Sequence, residues 1–216
     1  MVLYSPEITL IQNALIKIED KMARDYLELE ILQSSFKGAI SFTNTLLSFV
    51  KERLLDSLSR NLDYGIIYEG AGERGKNNFL ITIDGKDNLQ HAIPYFAVVI
   101  AVEREGKIVA GIIDNPITRE IYIVDDEKHY ALVNTFKMRV SQRDKDFVVA
   151  LTEQNLKYKN VIVAKSTLLN LCHVARGKYD ATIVTDNNPL LELGYLFVKN
   201  SGGTVEDNVA HNGKFK

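Results

Sequence analysis

Phe79-Leu80-Ile81-Thr82-Ile83-Asp84-Gly85-Lys86-Asp87-Asn88-Leu89-Gln90-His91 is an apolar run that stops at Asp-Gly, passes through Asn and His, and gives way to a second apolar run from Ile93. A carboxylate at the tip of a buried strand, followed by a glycine turn, is a common way to hold a metal or a phosphate. Asp84, Gly85 and Lys86 are therefore candidate site residues, with apolar Ile81 and cationic Lys86 on either side of the carboxylate. On residue type alone, Asp84 to Asp87 also reads as a solvated turn without an active role.

The hydrophobic period changes on either side of this stretch. Upstream, Ile8, Ile11, Leu15, Ile18 and Met22 recur at helical spacing, and Ser5-Pro6 offers an N-cap and an N1 proline, which predicts a helix over about Pro6 to Glu30. Leu47, Val50, Leu54 and Leu58 predict a second helix from Thr43 to Arg60. Short apolar segments then follow at Tyr64–Glu69, Phe79–Ile83, Tyr95–Val102, Lys107–Asp114, Glu120–Val124, Lys128–Val133 and Phe147–Leu151. Glu105-Gly106 and Asn115-Pro116 punctuate them as turns, so they read as a mostly antiparallel meander. Beyond Asn160 the pattern alternates: strand Val161–Ala164, helix Ser166–Arg176, strand Ala181–Thr185, helix Asn188–Asn200, the Gly202-Gly203 turn and a short strand. The expected architecture is layered α/β: an N-terminal helix pair, a large mostly antiparallel sheet and a C-terminal αβαβ layer. It is read as a single domain over residues 1–216, with subregions of about 1–140 and 141–216.

With 216 residues, the chain is long enough to bury a core of useful size. A net charge of -2 supplies no global field for nucleic acid or membranes, and aromatic residues do not interleave with basic ones, so there is no direct nucleic-acid signal. No apolar run approaches the roughly 18–20 residues of a membrane span. The start of the chain lacks the basic and apolar regions of a signal peptide, and the single cysteine, Cys172, cannot form an internal disulfide. The expected location is cytoplasmic.

Several motifs are decoys. Gly70-Ala71-Gly72-Glu73-Arg74-Gly75 matches G-x-G-x-x-G, but it leads through Lys76-Asn77-Asn78 into another strand rather than into a phosphate-binding helix. Asp84-x-Lys86-x-Asn88 places a lysine where a calcium loop needs an oxygen ligand. His91, His129, His173 and His211 show no zinc spacing, and His173 lies within an apolar helix, as a packed core histidine would. No serine stands in a G-x-S-x-G elbow. Cys172 reads as a small buried apolar side chain.

Four segments fall into a recognisable order: Ile66-Ile67-Tyr68-Glu69; Ile83 to His91 followed by Ile93-Pro94-Tyr95-Phe96-Ala97-Val98; Gly111-Ile112-Ile113-Asp114-Asn115-Pro116 before Glu120-Ile121-Tyr122; and Val174-Ala175-Arg176-Gly177-Lys178-Tyr179-Asp180-Ala181, with Gly202-Gly203 closing a helix. This order resembles the inositol monophosphatase family, including its SuhB-like bacterial branch. That family carries a strand ending in Glu-Glu, then D-P-I-D-G-T-x-N-F, F-P-x-F-A-V-S, G-V-V-x-x-P-x-x-x-E-L-Y, A-x-G-x-x-D-A, and W-D before a helix running into Gly-Gly.

The resemblance implies Mg2+-assisted hydrolysis of a small polyol or sugar phosphate, in which clustered carboxylates hold the metals. It implies metal contacts from Glu69, the Ile83 backbone carbonyl and Asp84. Gly85, Lys86 and Ser166 fall at substrate-binding positions, and Lys86 stands in the catalytic place of the family threonine. It further implies a homodimer, and, from the SuhB-like branch, association with transcription or RNA-processing proteins.

Other positions depart from the pattern. Gly70 replaces the second Glu, Ile81 the metal-bridging Asp, and Thr82 the proline. Leu190 or Leu191 replaces the W-D aspartate, and Lys165-Ser166 a Gly-Ser/Thr pair. The region between Ser141 and Val161 is abbreviated. These replacements remove oxygen ligands that magnesium needs in near-octahedral array. The expectation is an incomplete metal site with little or no Mg2+ bound, in which Lys86 pairs with Glu69 and stands in for a cation. Asp87, Asp114, Asp186 and Glu192 are the other acids open to rescue it. The expected role is a weak or inactive family phosphatase; the alternatives are a non-catalytic SuhB-like binding protein or a structural partner of an active paralogue.

Overall fold

The computed structural model describes residues 3–60, 63–152 and 160–215. The chain falls into two compact units, Met1–Ile121 and Tyr122–Lys216.

The first unit opens with α1 (Pro6–Leu32) and α2 (Phe36–Leu58). Ser5 is the N-cap of α1 and accepts from the Ile8 amide, with Pro6 in the first turn. Ile8, Ile11, Leu15, Ile18 and Met22 form its buried stripe, as their spacing predicts. The second helix begins earlier than expected. It opens at Phe36, just after Ser35 donates its amide to the Leu32 carbonyl at 2.8 Å, and its first turn buries Ala39; within it Thr45 and Ser48 donate back to the Ser41 and Asn44 carbonyls at 3.1 and 2.9 Å. Its buried stripe is Leu46, Val50, Leu54 and Leu58, so Leu46 takes the place expected for Leu47.

Four neighbouring strands of a mixed sheet follow: β1 (Gly65–Tyr68), β2 (Asn77–Asp84), β3 (Ala97–Arg104) and β4 (Lys107–Asn115), with α3 (Lys86–Gln90) between β2 and β3. Strand β1 runs parallel to β2, while β2–β3 and β3–β4 are antiparallel, in keeping with the mostly antiparallel sheet expected. The parallel step arises because the chain turns back at Glu69-Gly70 and loops through 71–76 before β2. That glycine-rich loop is structural. Asn78 accepts from the Gly75 amide at 2.8 Å and donates to its carbonyl at 3.1 Å, and Arg74 pairs with Glu103 at 2.9 Å. A Cβ at Gly72 would lie 2.1 Å from the Ile66 carbonyl oxygen, so glycine is required by close backbone approach.

Strand β5 (Glu120–Asp125) carries the chain from one unit to the next. In the second unit its end pairs with β6 (Tyr130–Val133), which pairs with β7 (Phe136–Lys137). A five-stranded sheet then forms in the order β11-β12-β10-β8-β9, from β8 (Val148–Leu151), β9 (Asn160–Val163), β10 (Ala181–Ile183), β11 (Thr204–Glu206) and β12 (Val209–His211). Helices α4 (Thr167–Ala175) and α5 (Leu191–Asn200) pack with it. The end of the chain is a two-stranded hairpin, not the single strand expected. Helix α5 starts at Leu191, not at Asn188, because Asn188 turns back and its side chain accepts from the Leu190 amide at 2.9 Å.

Every residue of α4 is buried, including Cys172 and His173, and His173 packs edge-on against Tyr122 and Tyr179. The Ala-x-Gly-x-x-Asp-Ala segment owes its pattern to Asp180. Its fully buried carboxylate accepts from Arg143 and the Val148 amide at 2.8 and 2.7 Å, and from the Ser141 hydroxyl. Gly177 turns the chain toward it at φ 76°. The abbreviated stretch after Ser141 lies partly outside the described residues. Among the described residues no helix is long and apolar enough to cross a membrane.

Candidate functional site

The candidate site is built where β1 and β2 end side by side. Tyr68↔Ile81 is the last pair of their parallel ladder, and the Glu69 amide extends it by donating to the Ile81 carbonyl at 2.8 Å. The chain then reverses over Tyr68-Glu69-Gly70-Ala71. Both central residues have positive φ, 51° and 78°, as in a type I′ turn, and Tyr68 and Ala71 exchange backbone hydrogen bonds at 2.9 and 3.0 Å. A glycine at position 70, in place of a second acid, suits this turn.

The turn aims the Glu69 carboxylate across the end of β2. Its Oε1 accepts from the Thr82 hydroxyl at 3.0 Å and from the Ile83 amide at 2.8 Å. Its Oε2 pairs with Lys86 Nζ at 2.7 Å. Glu69 thus meets a hydroxyl, a main-chain amide and an ammonium. The pair is half-exposed, with 40% of the Lys86 side chain and 30% of that of Glu69 accessible. The neighbouring Tyr68 hydroxyl has its pKa pushed up to about 12, by burial first and then by the Glu69 charge.

Asp84 ends β2 in register with Ala97 of β3 and is buried. Gly85 follows at φ 75° and starts α3, whose first residue is Lys86. The turn reading of Asp84 to Asp87 is therefore corrected: one strand ends and a short helix begins, with Asp84 on the buried side and Asp87 exposed. Asn88 donates to the Tyr95 carbonyl at 2.7 Å, and Asn115 donates to the Pro94 carbonyl at 3.1 Å while accepting from the Ile117 and Thr118 amides. Three motif segments that are separate in sequence are in this way tied into one scaffold.

The donor set does not fit a pair of magnesium ions. Ile81, buried between Tyr68 and Ile100 in the ladders, offers no oxygen where a bridging carboxylate would stand. Both oxygens of Glu69 are engaged by protein donors. Among the described residues no group of three or more His, Cys, Asp or Glu side chains is arranged to hold a metal. Of the acids open to rescue the site, Asp186 accepts from the Thr167 hydroxyl in the second unit and Glu192 is exposed in the first turn of α5. Ser166 stands at the N-cap position of α4, buried, but its hydroxyl makes no capping bond. Leu190 is buried and Leu191 opens α5. Sequence reasoning missed Thr82 as a partner of Glu69; alternation along β2 alone does not reveal that its side chain reaches the strand-end carboxylate.

A helix pair before a mixed sheet, then a C-terminal αβ layer, with a Glu and an Asp at adjacent strand ends, defines a class of layered phosphatase-like α/β proteins. Residues 49–190 match the inositol monophosphatase family, and the chain belongs to that family. It is 30% identical to an inositol-1-monophosphatase of Mesorhizobium japonicum over 90% of this chain and 83% of that one. It is 25% identical to the Nus factor SuhB of Escherichia coli over 94% of this chain and 85% of that one. The solved structure of the extragenic suppressor protein SuhB from Bartonella henselae superposes with a TM-score of 0.75 at 25% identity, covering 94% of each chain.

Proposed function

We infer that this chain is an inositol-monophosphatase-family protein in which Mg2+-dependent hydrolysis of a small polyol or sugar phosphate is weak or lost. The observation that carries the reading is the Lys86–Glu69 ion pair at 2.7 Å, in a strand-end site where Ile81 supplies no ligand. An ammonium relieves the charge of a carboxylate but cannot polarise a phosphoryl oxygen or lower the pKa of a bound water as a divalent metal does. The main-chain turn at Gly85, beside the Lys86 ammonium already paired with Glu69, suits weak anion contact more than turnover.

The test is phosphate release from inositol 1-phosphate in millimolar Mg2+. The expected result is release at or only slightly above background. Turnover in the ordinary enzymatic range of about 1–1000 per second would overturn the reading.

A second reading, a non-catalytic role alongside transcription or RNA-processing proteins, is favoured by the likeness to Nus factor SuhB over 94% of this chain. Affinity purification of the tagged chain from its native cell should recover such factors, and their consistent absence would remove this reading. Light scattering of the purified chain should give a homodimer mass.

A further inference from the structure

Away from the strand-end site, the first unit holds a second group of acids that the family chemistry does not use. Asp114 lies in β4 with 1% of its surface accessible, and its Oδ2 is buried without a hydrogen-bond partner. Glu19, on α1, has its own Oε1 buried and unpartnered. Both line a cavity of about 270 Å³, together with Asp20 and Ala23 of α1 and Pro116 and Arg119 of the turn after β4. Buried polar atoms are nearly always hydrogen-bonded, and two acids that line one cavity each keep a carboxyl oxygen without a protein donor, which calls for a donor-bearing occupant.

The chemistry of that occupant follows from the lining. The charged groups around the cavity are Glu19 and Asp20 from the helix, Asp114 from the strand and Arg119 from the turn, three acids against one base. An anion is disfavoured. A divalent metal is disfavoured too, because no group of three or more acids, histidines or cysteines among the described residues has metal-holding geometry. The volume is several times the roughly 30 Å³ share of one water. A primary ammonium carries three N–H donors on a single cationic centre, enough for Asp114 Oδ2, Glu19 Oε1 and a third acceptor such as Asp20.

We propose that the Glu19–Asp114 cavity binds the ammonium group of a small primary amine. The alkyl portion lies toward Ala23 and Pro116. Burial and the Glu19 charge raise the Asp114 pKa to about 8, so the empty site holds a proton on Asp114 near neutral pH. Burial, then the Asp20 charge, raises that of Glu19, while Arg119 opposes the shift. An ammonium that needs the carboxylate form displaces the Asp114 proton, so binding releases about 1 proton per amine and strengthens as pH rises toward 8.

The test is calorimetric titration of the full chain with n-butylammonium chloride at pH 7, in two buffers of different protonation enthalpy, with tetramethylammonium and Mg2+ as controls. Saturable binding of n-butylammonium is expected, with buffer-dependent heat reporting proton release and no saturation by tetramethylammonium, which has no N–H donor. Asp114→Asn should weaken binding tenfold or more and abolish the buffer dependence. Glu19→Gln should weaken it severalfold, and it carries the test should the Asp114 variant not fold. Arg119→Gln, which removes the competing cation, should tighten it severalfold. No saturation by n-butylammonium, equal binding of tetramethylammonium, preferential uptake of Mg2+, or undiminished binding by Glu19→Gln would each overturn the proposal. So would binding by Arg119→Gln with none by the native chain, since the arginine itself would then be the resident cation.

Discussion

Glu69 and Asp114 are both acids at strand ends of the first unit, and the fold treats them in opposite ways. Glu69 stands just past β1, half-exposed, with Thr82 and Ile83 donating to one oxygen and Lys86 to the other. Asp114 stands near the end of β4, almost wholly buried, with Oδ2 unpartnered and Glu19 as its charged neighbour. The first is a charge already balanced, with little demand for an outside cation. The second is a charge that burial suppresses, and its demand for a partner is unmet. Two sites of the same residue chemistry differ because donors reach one and not the other.

The harshest way to erase the difference is to give the strand end an orphan acid of its own. Ile81→Asp buries a carboxyl between Tyr68 and Ile100, where the ladder is tight. Urea unfolding should show a loss of about 3–5 kcal/mol, comparable to an uncompensated buried charge. Recovery of much of that loss on adding Mg2+ would mean that the region still accepts a metal once a carboxylate is restored.

The converse change removes the orphan. Asp114 has an ordinary value of 3.8 and is raised to about 8 by burial and then by Glu19. The folded chain therefore holds a proton there that the unfolded chain has lost. The stability linked to this group is complete below about pH 4 and declines as pH rises through 8. Asp114→Asn should flatten that decline, so that at pH 9 the variant is more stable than the native chain by about a few kcal/mol, on the order expected for a carboxyl held so far above its ordinary range. Denaturant midpoints collected from pH 5 to 9 would read this directly. Parallel pH curves for variant and native chain would put the two acids on an equal footing.

Smaller effects probe the balanced site. Gly70 sits at φ 78° with open space around its Cα, so Gly70→Ala adds backbone strain without a clash and should cost about 1 kcal/mol in thermal or chemical melts. The Lys86–Glu69 pair itself is half-exposed. A double-mutant cycle with Lys86→Met and Glu69→Gln should return a coupling of only about 0.2–1 kcal/mol, shrinking in high salt. A much larger coupling would mean that the pair is as isolated from water as Asp114.

Much of this was legible beforehand, for reasons that differ by element. The stripe of α1 could be read because five apolar residues kept helical spacing behind a Ser-Pro start. The start of α2 could not, because its first turns hold Gly38 and a small buried residue, Ala39, which leave no strong apolar period, and packing decides where the helix begins. The Glu69–Lys86 pairing was anticipated from residue type and its geometry bears that out, whereas the Thr82 hydroxyl bond was invisible because it depends on the turn over Glu69-Gly70. The Glu19–Asp114 cavity left no trace in any one segment, since its acids are far apart in the chain and meet only when α1 lies on β4.

The order of motifs along the chain by itself determined the family and the layered α/β class, because helical and strand periods and glycine turns are local properties that need no partner to be recognised. The tertiary structure alone decided which acids are satisfied and which are stranded. Solvation and hydrogen bonding of a carboxylate depend on the groups that surround it in space, and in this chain those groups come from distant segments of sequence.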